Sequence, residues 1–239
     1  MLTKKIRTHG VLLGKIEFDG QPVPIEDPNL TNLVAEVSIK EPKVYNKGGY
    51  PRVLAYDCGM KYNIIRCFLE RGVELTVVPF DWDIKKSEGQ YDGLFISNGP
   101  GDPIMCKATI ESLKYAITQD KPIFGICLGN QLLALAAGAR TEKMPFGNRA
   151  CNVPCVDLRS SKCYITSQNH GYHVVAESLP EGWSPLFFNV NDSTNEGIFH
   201  KTKPFFSSQF HPEASAGPLD TRFLFDRFIA MMGGNKECR

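Results

Sequence analysis

The residues best suited to covalent chemistry surround one cysteine. Cys127 lies within residues 125–129 (Gly-Ile-Cys-Leu-Gly), directly after the apolar run 122–126 and directly before the helical pattern 131–137. A strand that enters a helix through a glycine-flanked residue makes a sharp turn, and this turn projects the central side chain above the sheet. The N–H groups at the start of that helix carry partial positive charge, which favours a thiolate. The pattern therefore predicts that Cys127 is a nucleophile.

The base predicted for this thiol is a histidine. Among the five histidines, His211 stands out because it ends the apolar run 205–210 and is followed by Pro and Glu213. A carboxylate there can accept from one imidazole nitrogen while the other nitrogen faces the thiol, as in a catalytic triad. His-Pro-Glu alone fits a structural histidine at a strand end, but together with Cys127 it favours a triad of Cys127, His211 and Glu213. His170 is the second candidate, since no carboxylate is close to it in sequence.

Two polar loops are predicted beside the nucleophile. The segment 98–103 (Asn-Gly-Pro-Gly-Asp-Pro) follows a predicted strand, and its glycines allow backbone N–H groups to approach a ligand. It can complete an oxyanion hole with the N–H of Leu128 or hold the amino-acid end of a substrate; the alternative is a tight turn before a helix. It lacks the Lys-Ser/Thr pair of a phosphate loop, which argues against nucleotide binding. The segment 168–172 (Gln-Asn-His-Gly-Tyr) also follows a predicted strand and offers amide, backbone and aromatic contacts.

The cysteines do not form a metal-binding pattern. They are Cys58, Cys67, Cys106, Cys127, Cys151, Cys155, Cys163 and Cys238. The spacing of Cys151, Cys155 and Cys163 matches neither paired Cys-x-x-Cys nor Cys-x-x-Cys with His-x-x-x-His, so we predict no metal. Several cysteines fall within predicted strands or helices, where reduced, buried thiols are common. Cys58 lacks a base and is predicted to be packed rather than reactive.

The elements that position these residues follow an α/β pattern. From Arg52 onward, short apolar runs alternate with segments of helical period, which is typical of a parallel sheet. Strands are predicted at 52–57, 75–79, 94–97 and 123–126, and helices at 61–71, 107–118 and 128–137. After residue 138, strands are predicted at 153–158, 163–167, 185–189, 197–200 and 205–210, and a last helix at 221–232. We therefore predict a doubly wound, mostly parallel sheet flanked by helices, with added antiparallel strands in the second half, in which Cys127 and His211 converge at the carboxyl ends of strands.

The composition narrows the function further. With 42% apolar residues, 22% charged residues and a formal net charge of +1, the chain resembles an ordinary globular protein. This charge gives no electrostatic case for nucleic acid or an anionic membrane surface. No segment has the length of a membrane span, and glycines interrupt the basic start before a signal peptide forms. We expect a cytoplasmic protein that takes a small neutral or zwitterionic substrate.

The chain divides into two predicted parts. Residues 1–50 are rich in turn formers and close with the segment 45–51 (Tyr-Asn-Lys-Gly-Gly-Tyr-Pro). They are predicted to be the end of a truncated N-terminal domain plus a linker. Residues 51–239 are predicted to form the domain that carries the chemistry.

Four motifs together resemble one family. The segments 98–103, 125–131, 168–172 and 211–213 resemble those of the class I (triad) glutamine amidotransferases. The segments 57–63 (Asp-Cys-Gly-Met-Lys-Tyr-Asn), 64–71 and 148–154 are similar, more narrowly, to the glutaminase domain of carbamoyl phosphate synthetase, and most to the multifunctional type of the pyrimidine pathway. The resemblance covers nearly the whole chain.

The resemblance implies a mechanism and a binding site. Cys127 would attack the side-chain carboxamide of L-glutamine, with His211 as base and then acid, and Glu213 orienting it. Ammonia would leave, and water would hydrolyse the glutamyl thioester to glutamate. The residues implied to hold glutamine or its oxyanion are Gly99, Gly101, Leu128, Gln131, Asn169, Gly171 and Tyr172. In the family, ammonia passes inside the protein to a synthetase, expected on the same full-length polypeptide, that uses ATP, magnesium and bicarbonate; no cofactor is expected in this chain.

The chain departs from the family pattern in places, and two other functions stay open. Asn130 stands where most members have histidine, Ala150 and Cys151 replace a more glycine-like stretch, and residues 1–50 resemble only the end of the family's N-terminal domain. The alternatives are the glutaminase of another pathway, such as GMP or anthranilate synthesis, and a catalytically idle domain that binds glutamine for regulation. The segment 57–63 disfavours a glutaminase of another pathway, because it matches the carbamoyl phosphate synthetase domain better. The presence of Cys127, which relatives that use free ammonia have lost, disfavours the second.

Overall fold

One ten-stranded sheet organises the protein in the computed structural model, which describes residues 1–233, so that Cys238 lies outside the described residues. The strands are β1 (Lys43–Tyr45), β2 (Arg52–Asp57), β3 (Glu74–Pro79), β4 (Gly93–Ile96), β5 (Ile123–Ile126), β6 (Thr141–Asp157), β7 (Cys163–Val174), β8 (Trp183–Asn189), β9 (Asn195–His200) and β10 (Phe205–Ser208). The α-helices are α1 (Leu2–His9), α2 (Leu33–Val37), α3 (Tyr62–Leu69), α4 (Lys107–Ala116), α5 (Leu128–Ala137) and α6 (Phe223–Met231). The strand order is β1-β3-β2-β4-β5-β10-β9-β7-β6-β8.

The parallel half of the sheet consists of β3, β2, β4, β5 and β10. Its strands are short apolar runs, as expected where both faces of a sheet are covered. Successive side chains point to opposite faces, so Val53 lies in the core that includes residues of α3 and α6, whereas Leu54 lies in the core that includes residues of α4 and α5. The predicted α/β class, with a parallel sheet flanked by helices and antiparallel strands added in the second half, is confirmed.

Aromatic packing fixes the two strands that lead into the predicted triad. Phe124 of β5 and Phe206 of β10 lie opposite each other in the parallel register, and their rings stack with centroids 4.5 Å apart. Phe225 and Phe228 of α6 close over Phe124 at centroid distances of 5.8 and 5.7 Å. Such buried aromatic contacts add to the burial of apolar area, so the ends of β5 and β10 are held together.

The antiparallel half has longer strands than the sequence predicts. β6 and β7 run well beyond the predicted segments 153–158 and 163–167, and they pair antiparallel with register shifts. The segment 168–172, predicted to follow a strand, therefore lies inside β7. The ladder with β6 continues past the apolar residues, pairing Asn148 with His170 and Arg149 with Asn169. Backbone pairing thus outweighs the polar composition that suggests a loop.

Part of the segment 1–50 packs against the rest of the protein. β1 pairs antiparallel with β3 and extends the sheet at its edge. The backbone N–H of Val11 donates to the carbonyl of Pro145 at 3.0 Å. The division into 1–50 and 51–239 as separate domains stays a prediction.

Residues 1–233 contain no helix with the length and apolar character needed to cross a bilayer. Within the same range, no group of three or more His, Cys, Asp or Glu side chains is arranged to hold a metal ion. The cysteines of this range are all free thiols, with Cys58 buried and Cys151 and Cys163 exposed.

Candidate active site

A strained turn presents Cys127 between β5 and α5. Its backbone has φ 55° and ψ −102°, a conformation that a residue with a side chain rarely adopts. The N–H of Cys127 donates to the carbonyl of Ser208 at 2.8 Å, which ties the turn to the end of β10. A glycine is required at position 129, two residues after Cys127, because a Cβ there would overlap the carbonyl oxygen of Ile96. The close approach of α5 to the sheet therefore holds the thiol at the positive end of the helix.

His211 and Glu213 lie just beyond the end of β10. The Nδ1 of His211 is 2.7 Å from Oε1 of Glu213, and both side chains are almost completely buried. The backbone N–H of His211 donates to the carbonyl of Ser167 at 2.9 Å, which anchors the loop to β7. With Nδ1–H donating to the carboxylate, the second ring nitrogen is left for the thiol. The structure thus brings together the three residues that the sequence predicts as a triad.

The charges around the thiol favour its ionised form. Burial alone raises the pKa of the Cys127 thiol, but the charge of His211, aided by that of His170, lowers it overall. Burial lowers the pKa of His211, yet the charges of Cys127 and Glu213 raise it to about 10 overall. Burial likewise raises the pKa of Glu213, and its hydrogen bond and charge interaction with His211 lower it overall. These shifts favour a thiolate–imidazolium pair beside a carboxylate.

Lys61 is a member of this cluster that the sequence reasoning missed. Its Nζ lies 3.2 Å from Nδ1 of His211 and 3.3 Å from Oε1 of Glu213. The side chain of the nearby Asn63 donates to the backbone carbonyl of Glu213 at 2.6 Å. Both residues belong to the segment 57–63, which carries the narrower resemblance, so the motif is visible in the sequence but its contact with the triad is not.

His170 lies next to the thiol but has no nitrogen free to act as a base. Its Nδ1 is 2.9 Å from the carbonyl oxygen of Tyr172, and its Nε2 is 3.2 Å from Oε1 of Gln168 and 3.5 Å from Oε1 of Glu196. All three partners are acceptors, so the ring donates from both nitrogens when it is protonated. Burial lowers the pKa of His170, but Glu196 raises it overall. His170 therefore offers no free acceptor to the thiol, and Glu196 is a partner that the sequence did not indicate. Burial raises the pKa of Glu196 itself, in spite of its hydrogen bond with His170.

A cavity of about 530 Å³ opens above the triad. Of the residues predicted to act on or hold a substrate, those that line it are Gly99, Gly101, Cys127, Gln131, Asn169, Gly171, Tyr172 and His211. Leu128 and Glu213 lie behind this lining and are almost fully buried. Gly99 has no room for a side chain, since a Cβ there would overlap the carbonyl oxygen of Cys58. The backbone of Gly99 can therefore come close to a bound molecule.

The walls of the cavity are fixed by polar contacts. The hydroxyl of Tyr172 donates to Oδ2 of Asp102 at 3.1 Å and lies 3.4 Å from Oδ1 of Asn29. The carbonyl oxygen of Asn169 is 4.0 Å from Sγ of Cys127. Ala150 and Cys151, the second departure from the family pattern, lie at the second register shift of β6, outside the cavity lining.

Comparison with known proteins agrees with this geometry. A sequence model of the family described as "Glutamine amidotransferase class-I" matches residues 54–231. The chain is 55% identical over 233 residues to "Multifunctional protein CAD" of Squalus acanthias, covering 95% of this chain and 10% of the relative. It is 53% identical over 241 residues to "Carbamoyl phosphate synthase arginine-specific small chain" of Candida albicans, covering 95% of this chain and 56% of the relative. It is 52% identical over 239 residues to "Carbamoyl-phosphate synthase [ammonia], mitochondrial" of Aquarana catesbeiana, covering 99% of this chain and 16% of the relative.

The solved structures show the same fold. A protein of Thermoplasma acidophilum, described as a "putative gmp synthase" component, aligns with a TM-score of 0.67 and 25% identity, covering 76% of this chain and 94% of its own. The curated relatives are longer, since this chain spans between 10% and 56% of those three. The match of the family model to most of the chain, together with a cysteine, histidine and glutamate assembled at its strand ends, shows that this protein belongs to the class I glutamine amidotransferases.

Proposed function

We propose that this protein hydrolyses L-glutamine to glutamate and ammonia through a thioester on Cys127. The observation that carries the proposal is the alignment of Cys127, His211 and Glu213 at one cavity, with charges that favour a thiolate. The thiolate attacks the carboxamide carbon, and the imidazolium of His211 gives its proton to the leaving ammonia. The C–N bond breaks and the glutamyl thioester remains. His211 then takes a proton from water, which attacks the thioester and releases glutamate and the thiol.

Backbone groups are proposed to stabilise the tetrahedral intermediates. The first-turn N–H groups of a helix have no intrahelical acceptor, so the N–H of Leu128 at the start of α5 is available to an oxyanion. The N–H of Gly99 is proposed as the second donor. Gly101, Gln131, Asn169, Gly171 and Tyr172 are proposed to hold the amino-acid end of glutamine. The thioester route uses only side chains and water, so we propose that this chain needs no cofactor.

The ammonia is proposed to feed a carbamoyl phosphate synthetase in pyrimidine biosynthesis, in the cytoplasm and on the same full-length polypeptide. The names of the relatives support this, because two of them, 53% and 52% identical, are named as carbamoyl phosphate synthases. Two others, "Multifunctional protein CAD" and "Multifunctional protein pyr1-3" of Dictyostelium discoideum, are 55% and 52% identical and named as multifunctional. The synthetase would use ATP, magnesium and bicarbonate. The relative named "Carbamoyl-phosphate synthase [ammonia], mitochondrial" is also 52% identical to this chain. Overall identity therefore does not distinguish glutamine from free ammonia as the nitrogen source. The intact triad favours glutamine.

Alkylation by an electrophilic glutamine analogue tests the proposed nucleophile. We expect mass spectrometry to find the label on Cys127, and we expect the Cys127→Ala variant to make no glutamate. Cys58→Ala is a matched control, since Cys58 is another buried cysteine at a strand end and lines no part of the cavity. Label at other cysteines with none on Cys127, or unchanged glutamate formation by Cys127→Ala, would exclude the thioester route.

The proposed use of ammonia has a separate test. A carbamoyl phosphate synthetase that lacks its own amidotransferase should form carbamoyl phosphate from glutamine when this chain is added. The control replaces the chain with its Cys127→Ala variant and supplies ammonium salt. If only ammonium supports synthesis although the chain hydrolyses glutamine, the partner is a different synthetase.

A further inference from the structure

A chain of buried hydrogen bonds runs from the cavity into the sheet. The amide Nε2 of Gln131 donates to the carbonyl oxygen of Tyr172 at 2.9 Å and to Oε1 of Gln209 at 3.1 Å. The same Oε1 of Gln209 accepts from Nδ2 of Asn130 at 2.9 Å. Asn130 and Gln209 are completely buried and line no part of the cavity, whereas Gln131 lines it. Asn130 is the residue that stands where the family pattern has histidine.

The chain continues to a second backbone group. Oδ1 of Asn130 accepts from the hydroxyl of Ser207 at 2.7 Å, and that hydroxyl oxygen accepts from the N–H of Ile198 at 3.1 Å. We call the side chains of Gln131, Gln209, Asn130 and Ser207 the amide relay. It joins α5 to β10. The carbonyl of Tyr172 at its near end can only accept, whereas the Ser207 hydroxyl at its far end also lies 3.3 Å from the carbonyl oxygen of Ile198.

The carbonyl of Tyr172 determines which way each amide points. Amide oxygen and nitrogen are assigned from their partners, and a carbonyl oxygen can only accept. Tyr172 therefore requires the nitrogen of Gln131, whose second hydrogen requires the oxygen of Gln209. The oxygen of Gln209 in turn requires the nitrogen of Asn130, which leaves the oxygen of Asn130 for Ser207. Reversing Gln209 would set its NH₂ group against two other NH₂ groups.

The relay decides what Gln131 offers to a bound molecule. Both hydrogens of its Nε2 are used within the protein, and its Oε1 accepts no hydrogen bond from any side chain or backbone group of residues 1–233. Nε2 of Gln209 is buried without a partner in the same range, which is the cost of keeping its Oε1 toward the two donors. The free oxygen of Gln131 is an acceptor and suits a cationic donor.

We propose that Gln209 and Asn130 are positioning residues that hold the oxygen of Gln131 toward the cavity, so that the site selects substrates with an α-ammonium group. The inference rests on the proposed function, because glutamine supplies that ammonium. Neither positioning residue touches the substrate. Their effect is on discrimination between ligands rather than on the triad.

The test compares L-glutamine with glutaramate, which lacks only the α-amino group. Dissociation constants are measured by calorimetry in the Cys127→Ala background, where binding occurs without turnover. We expect the parent to bind glutamine at least about tenfold more tightly, the difference expected for a hydrogen bond to a charged group. Gln209→Leu should reduce this ratio about tenfold and leave the affinity for glutaramate within about twofold. Gln209→Glu, which keeps an acceptor for both amide donors, should restore the ratio.

Two further variants distinguish a positioning role from a general loss of structure. Asn189→Leu removes another fully buried amide, which lies in β8 outside the relay, and should leave the ratio unchanged. Ser207→Ala removes the donor to Asn130 and the acceptor of the Ile198 N–H, but it leaves both amide contacts of Gln209 in place. It should lower the ratio less than Gln209→Leu, which keeps the test usable if the latter does not fold. Equal losses for both ligands, or no discrimination in the parent, would overturn the proposal. Glutamate formation by the unmodified protein is measured separately, so a failure of the proposed function is recognised independently.

Discussion

Two histidine–carboxylate pairs flank the same thiol, and they differ in what their imidazole nitrogens can do. His211 places one nitrogen 2.7 Å from Glu213 and keeps the other for Cys127. His170 places both nitrogens against acceptors, including Glu196 at 3.5 Å. The first pair can move a proton to or from the thiol, whereas the second has no nitrogen available for it. A histidine near a nucleophile is therefore a base only if one nitrogen is left unpartnered.

The pairs also differ in how the chain assembles them. His211 and Glu213 are two residues apart on one loop, so the loop conformation alone brings them together. His170 is on β7 and Glu196 is on β9, and they meet because the two strands are neighbours in the sheet. The local pair is the one proposed for the chemistry, and the long-range pair ties the wall of the cavity to the core.

Replacing His211 should have the largest effect on catalysis. His211→Gln removes the group proposed to protonate the leaving ammonia and then to activate water, so kcat/KM for glutamine should fall about 10²- to 10⁴-fold. Steady-state glutamate formation measures this, with circular dichroism to confirm folding. His200→Gln is the control, because His200 lies outside the cavity lining. A fall of less than about tenfold would show that another group acts as the base.

Replacing His170 should act first on stability. His170→Gln removes the ring that contacts the buried carboxyl group of Glu196 and the carbonyl of Tyr172, and leaving such buried groups without a partner is expected to lower the free energy of unfolding by about 1–3 kcal/mol. Urea denaturation measures the loss. The double variant with Glu196→Gln should recover part of it, because the buried carboxyl group that lost its partner is then absent. If the stability of His170→Gln is unchanged while its activity falls as far as that of His211→Gln, the contrast between the two pairs is wrong.

The sequence predicts the local pair because its signals are local. The strand–turn–helix pattern around Cys127 and the proximity of His211 to Glu213 are visible within a few residues. Glu196 and Lys61 could not be assigned in this way, because their contacts with the site depend on strand order and on the path of the loop after β2. The same holds for the long β7, where pairing with β6 outweighs polar composition.

The two histidines should also differ in how strongly they lower the pKa of the Cys127 thiol. Since His211 lowers the pKa of Cys127, the rate of alkylation by iodoacetamide should reach half its maximum below the ordinary thiol pKa of about 8.5. His211→Gln should move that midpoint upward, with about a tenfold loss of thiolate at pH 7 for each pKa unit. His170→Gln should move it in the same direction by less. Burial raises the pKa of Cys58 well above its ordinary value, so Cys58 should stay unlabelled as an internal control.

The smallest effect is expected from replacing Lys61. This lysine contacts the local pair from a position open to solvent, whereas the long-range pair has no such exposed neighbour among its contacts described above. The side chain of Lys61 is 49% exposed, whereas the pair of His170 and Glu196 is closed to water. Lys61→Met removes a cation that helps lower the pKa of Glu213, but solvent screens that charge. We expect kcat/KM to fall only a few-fold, and by less at high salt, where the wild-type interaction is already weakened. Lys61→Arg should retain most of the activity. A loss as large as that of His211→Gln, or one that does not depend on salt, would mean that Lys61 contacts the substrate itself rather than tuning the carboxylate behind it.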